Sequence, residues 1–468
     1  MAMKNSSAFM RYIKYARLKR FDVNAPDGHA NERHRRLVLT TLSNFASKFV
    51  MIFTSMISIS LTANYLGRER FGMWSLLSSF AAMLVFSDLG IGNGLLTLLS
   101  KANGEDDREN AAKYVSSAFF ILLFIACIIG LVFSLVYPHV SWARIFNVSS
   151  DLAVAESGPV ISVFFFCFLL NMPLGIVQRI QMGYQEGFVN NFWLVIGNVG
   201  AFFSILILIF LKAGLPYLAF AFVGIPVLAQ FVNGFVLFYR QRGWLIPKWS
   251  LFSFSSAKTI MQLGLLFFIL QIATAIGFQS DQIVIAQYLG ADMVAEYSIP
   301  NKLFSIGVTL LILVLSPLWP AYGEALARQD FNWSESMLKK SLIYSISFGS
   351  IFGILLLFIS RSLLKIWVGE FVSPSWVLLG GFACWLILRS ILAPLNIFMN
   401  GIGVIGFQTI IAVFATIANI IVSIGLAQKI GVAGPIWGSV LAVFFCILIP
   451  QILYVVWFIR NMRLKNGD

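Results

Sequence analysis

Ala63-Asn64-Tyr65-Leu66-Gly67 returns 223 residues later as Ala286-Gln287-Tyr288-Leu289-Gly290. Trp74 and Tyr297 keep that offset, Gly183 and Gly401 stand 218 apart, and Lys212 and Lys429 stand 217 apart. Each pentapeptide closes an apolar run long enough to cross a bilayer, which takes about 20 residues. Working outward gives twelve runs: 38–63, 71–99, 114–137, 158–182, 188–211, 215–239, 258–288, 293–321, 341–360, 375–399, 406–428 and 433–459. Six runs per repeat is an even number, so both halves keep one orientation and are related by an axis along the membrane normal. The expected fold is an all-α polytopic membrane protein, with about 12 transmembrane helices as two parallel six-helix halves around a central cavity. Its expected divisions are a basic cytoplasmic N-terminal tail (1–37), an N-terminal half (38–240), a cytoplasmic linker (241–257), a C-terminal half (258–460) and a cytoplasmic tail (461–468).

Composition excludes the soluble classes. The 468 residues are 59% hydrophobic and 11% charged, with a mean hydropathy of +0.85, whereas soluble domains carry about 25% charge. The formal charge of +13 is not a nucleic-acid signature, because the basic residues lie in short loops and in the tail. Twenty-three of the 33 Lys and Arg fall on the N-terminal side of the membrane and seven on the other. That asymmetry places both termini in the cytoplasm. The first 37 residues hold nine basic side chains (Lys4, Arg11, Lys14, Arg17, Lys19, Arg20, Arg33, Arg35, Arg36) and lack the apolar core of a cleavable signal. Cys127, Cys167, Cys384 and Cys446 lie inside apolar runs and read as buried thiols. Neither a nucleotide loop nor a metal or Ser/His/Asp constellation is visible, so the chain reads as a transporter rather than an enzyme, with no cofactor expected beyond a coupling ion, H+ or Na+.

Charged side chains inside a span are costly and mark cavities or partners. Lys48 lies about 16 Å along span 1, with Asp88 in span 2 and Arg389 in span 10 at similar depth. Lys48 and Asp88 read either as an ion pair or as lumen residues. Asn396 and Asn400 follow Arg389 within about 40° on one helix face, and Trp385 precedes it by one turn, placed for sugar stacking or for core packing. Asn171 and Gln178 occupy the positions 218 residues earlier in span 4, with Gln185 continuing the line and Arg179 near the inner mouth. Thr41, Asn44, Lys48 and Ser55 share a face of span 1. These stripes read as a hydrated lumen, or as hydrogen-bonding between helices. Asp281 and Lys302 fall in the outer third of consecutive spans, where they are expected to pair, as a static contact or as an outer gate coupled to a proton.

Tyr65-Leu66-Gly67-Arg68-Glu69-Arg70-Phe71-Gly72-Met73-Trp74, followed by Phe86-Ser87-Asp88-Leu89-Gly90-Ile91-Gly92-Asn93-Gly94, resembles the first two spans of Wzx-type flippases. These export lipid-linked oligosaccharides, O-antigen or polysaccharide repeat units, and belong to the multidrug/oligosaccharidyl-lipid/polysaccharide exporter superfamily. The resemblance implies alternating access in a bacterial inner membrane, flipping an undecaprenyl-diphosphate-linked glycan to the outer leaflet. It implies a cationic lumen, for which Lys48 and Arg389 are the matching positions, with Arg179 admitting the diphosphate. The expected partners are the lipid-linked glycan, membrane lipids, a polysaccharide polymerase and a chain-length regulator, around a monomeric transport unit. The competing reading is a multidrug/cation antiporter of the same superfamily, which would rely on acidic lumen residues. A sugar porter of the major facilitator type is disfavoured, because Gly104-Glu105-Asp106-Asp107-Arg108 lacks the trailing Gly-Arg-Arg of that family's loop.

Overall fold

The computed structural model describes residues 15–17, 19–22, 27–83, 88–290, 292–368 and 372–466. Lys4, Arg11 and Lys14 of the tail, residues 84–87 of span 2 and the last two residues lie outside the described residues. Every long element is a helix: α1 (Gly28–Met83), α2 (Ile91–Gly104), α3 (Arg108–Val136), α4 (Trp142–Phe146), α5 (Asp151–Gly183), α6 (Gly187–Phe210), α7 (Leu215–Ala219) and α8 (Ile225–Val236). After a linker of short turns come α9 (Phe254–Tyr288), α10 (Met293–Leu315), α11 (Leu318–Ala327), α12 (Phe331–Val368), α13 (Trp376–Gly401), α14 (Ile405–Ile430), α15 (Gly434–Val443) and α16 (Ile449–Asn466). The chain divides into two compact units, Met1–Leu265 and Leu266–Asp468.

Ten segments among the described residues are long and apolar enough to span a membrane. Two of them contain a break. The 56 residues of α1 would run about 84 Å as one helix against a hydrocarbon core of about 30 Å. They are interrupted at Gly67 (φ 72°, ψ 176°), a conformation open to glycine and strained for other residues. The part beyond Gly67 begins span 2, which resumes as α2. The 60-residue segment Ile405–Leu464 breaks at Gly431 (φ 64°). The twelve crossings of the sequence reading follow, six in each half.

The internal repeat is written into the backbone of each unit. Gly67 and Gly290 both adopt positive φ, as do Asp106 and Gln329 at the same offset, and Gln185 and Gly403 218 apart. A π-helical turn at Phe220–Gly224 recurs at Phe444–Leu448. Each π turn ends two residues before a proline, Pro226 or Pro450, whose missing N–H and bulky ring disrupt the helical ladder at the carbonyl four residues back. Gly183 and Gly401 hold equivalent close approaches: a Cβ on Gly183 would lie 2.8 Å from Leu99 Cβ, and one on Gly401 would lie 2.6 Å from Tyr322 Cβ.

Packing follows lipid-protein logic. On α3, Ala111, Val115, Ala118 and Leu122 are buried, while Phe124, Leu131 and Leu135 are exposed, so both faces are apolar and only the inner one packs on protein. Leu66, Met73 and Trp74 enter a core with Phe146, Val160, Phe164 and Leu215, and Trp74 lies 4.8 Å from the Phe222 ring. The charges between them are tied down too. Arg70 Nε and Nη2 donate to Glu156 at 2.7 and 3.0 Å, and Glu69 accepts from the backbone N–H groups and hydroxyls of Ser149 and Ser150. Its basic and acidic residues therefore serve to seat this turn.

Candidate functional site

The N-terminal unit concentrates polar residues where span 2 restarts. Asp88 caps α2, accepting from Gly90 N at 2.9 Å and from Gly92 N at 3.3 Å. Arg179 of α5 lies 3.8 Å from Asp88 Oδ2 and donates to Asn93 Oδ1 at 2.9 Å. Gly92 lies beneath this contact: a Cβ there would stand 2.6 Å from Arg179 Nε and 2.7 Å from Asp88 Oδ2. The sequence reading left Lys48 and Asp88 as an ion pair or as lumen residues; the ion pair does not form, and Asp88 faces Arg179 instead. Equal depth does not select a partner; Asp88 sits at a helix start, facing α5, and its cation is Arg179. Lys48 is half-buried on α1. Asn44 of the span 1 stripe accepts from Asn191 of α6 at 2.7 Å, so at that level the stripe joins two helices. Asn171 is exposed and Gln178 half-buried on α5.

One cluster in this unit escaped the sequence reading. Glu186, between α5 and α6, accepts from Arg242 at 3.0 Å and from Arg20 at 3.5 Å. Arg242 also lies 3.9 Å over the Tyr184 ring, and burial pushes the Tyr184 phenol up to about 12. Burial lowers the Arg242 guanidinium from its ordinary value, with Glu186 opposing. Arg36 donates to Tyr184 O at 2.7 Å. Acidic residues in short loops look like surface charge in a sequence, and the turn at Gln185, at positive φ, that brings Glu186 to its partners shows only in the structure.

The C-terminal unit contains a partly open cavity lined by residues of α9, α13, α14, α15 and α16. Arg389, Trp385 and Asn396 all reach it from α13, and the Arg389 guanidinium lies 5.8 Å from the Trp385 ring. Asn396 accepts from Gln451 Nε2 at 2.7 Å. Asn400 is turned to Gln408, which donates to it at 2.9 Å and lines the cavity. Pro394, between Arg389 and Asn396, denies the Ser390 carbonyl its helical donor. Opposite, α14 is fastened to α9 by a ladder: Thr409 donates to Leu266 O at 3.0 Å, Thr416 to Ala273 O at 2.9 Å and Asn419 to Gly277 O at 3.1 Å. Gln408, Thr416 and Asn419 share one apolar run, and their spacing of +8 and +11 puts them near one face, a pattern the sequence reading passed over; Gln451 stands alone among apolar neighbours.

Asp281 closes that ladder. It is 3% exposed and accepts from Tyr297 and Ser439 hydroxyls at 2.7 Å each, from Ser423 at 3.3 Å and from Asn419 at 3.4 Å. The expected Asp281–Lys302 pair does not form. Lys302 is exposed on α10, while neutral donors from α10, α14 and α15 compensate the buried carboxylate, and Tyr297 of α10 takes the place expected for the lysine. Chemically, the cavity offers one guanidinium, an aromatic face and a set of amides, the groups that hold a phosphate and a sugar.

Comparison with known proteins agrees with this architecture. The chain is 22% identical over 317 residues, 67% of its length and 71% of the relative's, to a protein named as an O-antigen transporter in Salmonella typhi. It is 24% identical over 349 residues, 72% of its length and 76% of the relative's, to one named as an O-antigen export protein in Yersinia pseudotuberculosis. In fold it is similar to MATE in a bent conformation, with a TM-score of 0.78 at 14% identity over 93% of this chain and 97% of that one. A Vibrio cholerae MATE transporter gives 0.75 at 12% over 94% and 98%, and a MOP superfamily transporter from Pyrococcus furiosus 0.71 at 15% over 92% and 96%. A twelve-helix, two-half transporter fold, an internal repeat and a match over residues 37–326 to the family model described as polysaccharide biosynthesis protein together make this chain a member of that polysaccharide biosynthesis protein family.

Proposed function

We propose that this protein exports a surface-polysaccharide repeat unit, O-antigen or a similar glycan. It does so by flipping an undecaprenyl-diphosphate-linked oligosaccharide from the cytoplasmic to the outer leaflet by alternating access. The observation that carries the reading is the cavity of the C-terminal unit, where Arg389 stands among Trp385, Asn396, Gln408 and Gln451. A guanidinium binds a diphosphate through charge-assisted, bidentate hydrogen bonds, and amides and an indole face suit a sugar. Two relatives named for O-antigen transport or export support the same substrate class. In this reading Arg179 helps admit the diphosphate, Lys48 adds positive charge, Asp88 orients Arg179, and Asp281 takes part in coupling, to H+ or Na+. The membrane is the bacterial inner membrane, with both termini in the cytoplasm.

The multidrug antiporter reading has the fold in its favour, since MATE transporters share it. It suits the cavity less well, because the charged side chain lining it is cationic and the neighbouring carboxylate, Asp281, is occupied by four donors. The separating experiment is complementation of a chromosomal deletion, reading surface glycan and dye efflux in the same cells. Restored glycan with unchanged efflux is expected. Restored efflux with no effect on glycan would overturn the proposal.

A further inference from the structure

In the cavity of the C-terminal unit one buried polar atom has nothing to bond. Gln451, on α16 and 1% exposed, donates Nε2 to Asn396 Oδ1 at 2.7 Å, which engages one end of its amide. Its Oε1 has no hydrogen-bond partner among the described residues, although the side chain lines the cavity. An acceptor left bare at membrane depth is costly, because lipid offers no donor. Arg389 lines the same cavity from α13, seven residues before Asn396, about 10 Å along the helix. The cavity thus has a cation on its wall at one level and, two turns away, the Gln451 amide, held by one end by Asn396 and with Oε1 unpaired beneath the cavity wall.

A glycosyl phosphate has the complementary shape: an anionic group at the anomeric carbon and hydroxyl donors on the far edge of the ring. We propose that Gln451 is a specificity-determining residue that reads the sugar next to the phosphate. Its Oε1 accepts a ring hydroxyl of a glycosyl phosphate whose phosphate lies on Arg389, and Asn396 acts as the positioning residue for that amide. This rests on the glycan reading of the cavity and adds which side chain recognises the sugar and by what bond. A site with a committed acceptor rejects a ligand that cannot donate to it, because the acceptor then stays unpaired.

The test is calorimetry on the full-length protein in nanodiscs with inorganic phosphate, glucose 1-phosphate and galactose 1-phosphate. The wild type is expected to bind at least one hexose 1-phosphate about tenfold more tightly than phosphate, the worth of one well-made hydrogen bond. Gln451→Met is expected to bring that preference, read against the variant's own phosphate binding, to within about twofold. Should Gln451→Met accumulate poorly, Asn396→Ser, which releases the amide without removing it, carries the same expectation. A preference that persists in these variants, or is absent in the wild type, overturns the assignment and leaves the acceptor to water. Loss is read separately for the underlying proposal: a wild type that binds neither phosphate nor sugar phosphate contradicts Arg389 as the anion site as well.

Discussion

Arg179 stands 3.8 Å from Asp88 and 2.9 Å from the Asn93 amide oxygen, directly above the space that Gly92 leaves empty. The sequence 88–94 is therefore a helix restart built around an arginine: Asp88 caps the new helix, Asn93 and Asp88 orient Arg179, and Gly92 gives it room.

Two alanine substitutions in this region are predicted to differ. At Gly92 the obstructing atoms are the ends of two side chains, so Gly92→Ala should fold with a small loss of thermal stability and lose export in parallel with Arg179→Gln. At Gly264 the obstruction is backbone, Ile91 N at 3.1 Å and Leu89 O at 3.2 Å. Gly264→Ala should therefore cost about 1–3 kcal/mol. Detergent melting curves and surface-glycan assays separate the two; full export in Gly92→Ala would contradict a transport role for the Arg179 contact.

Asp281 gives a second prediction. Asp281→Leu strips the acceptor from Tyr297 and Ser439 and should destabilise the C-terminal unit by about 2–4 kcal/mol. Lys302→Ala should change stability by less than about 0.5 kcal/mol, because Lys302 is exposed. Exchanging the two charges, Asp281→Lys with Lys302→Asp, should not restore protein level. Recovery in the exchanged protein would mean that the two side chains meet after all.

The contrast between these residues marks what the sequence makes legible. Span count and the Arg389–Asn396–Asn400 face follow from apolar run length and 3.6-residue periodicity, quantities internal to one helix, and the six-plus-six repeat follows from recurrence at a nearly constant offset. Partners are set by which helix lies alongside and at what rotation, and depth carries neither. Lys48 and Asp88 share a depth but not a contact, and Asp281 found hydroxyls on α10, α14 and α15 where a lysine was expected. The Gln451 amide was hidden for a related reason: one polar residue among apolar neighbours has no pattern of its own.

Membrane orientation is tested by single cysteines in a background lacking the four native ones. Cysteine at Val148 should react with an impermeant maleimide on intact cells. Cysteines at Glu105 and Lys248 should react only after permeabilisation, as the 23-to-7 distribution of basic residues demands. The opposite pattern would invert the topology and with it the direction of transport.

The central claim is that Arg389 holds the anionic group of a lipid-linked glycan. Its most direct test is surface-glycan export in a deletion strain carrying wild type, Arg389→Lys or Arg389→Ala at matched protein levels. Lysine keeps the charge without the bidentate geometry, so partial export is expected from Arg389→Lys and a drop of about tenfold or more from Arg389→Ala. Wild-type export from Arg389→Ala would contradict the account.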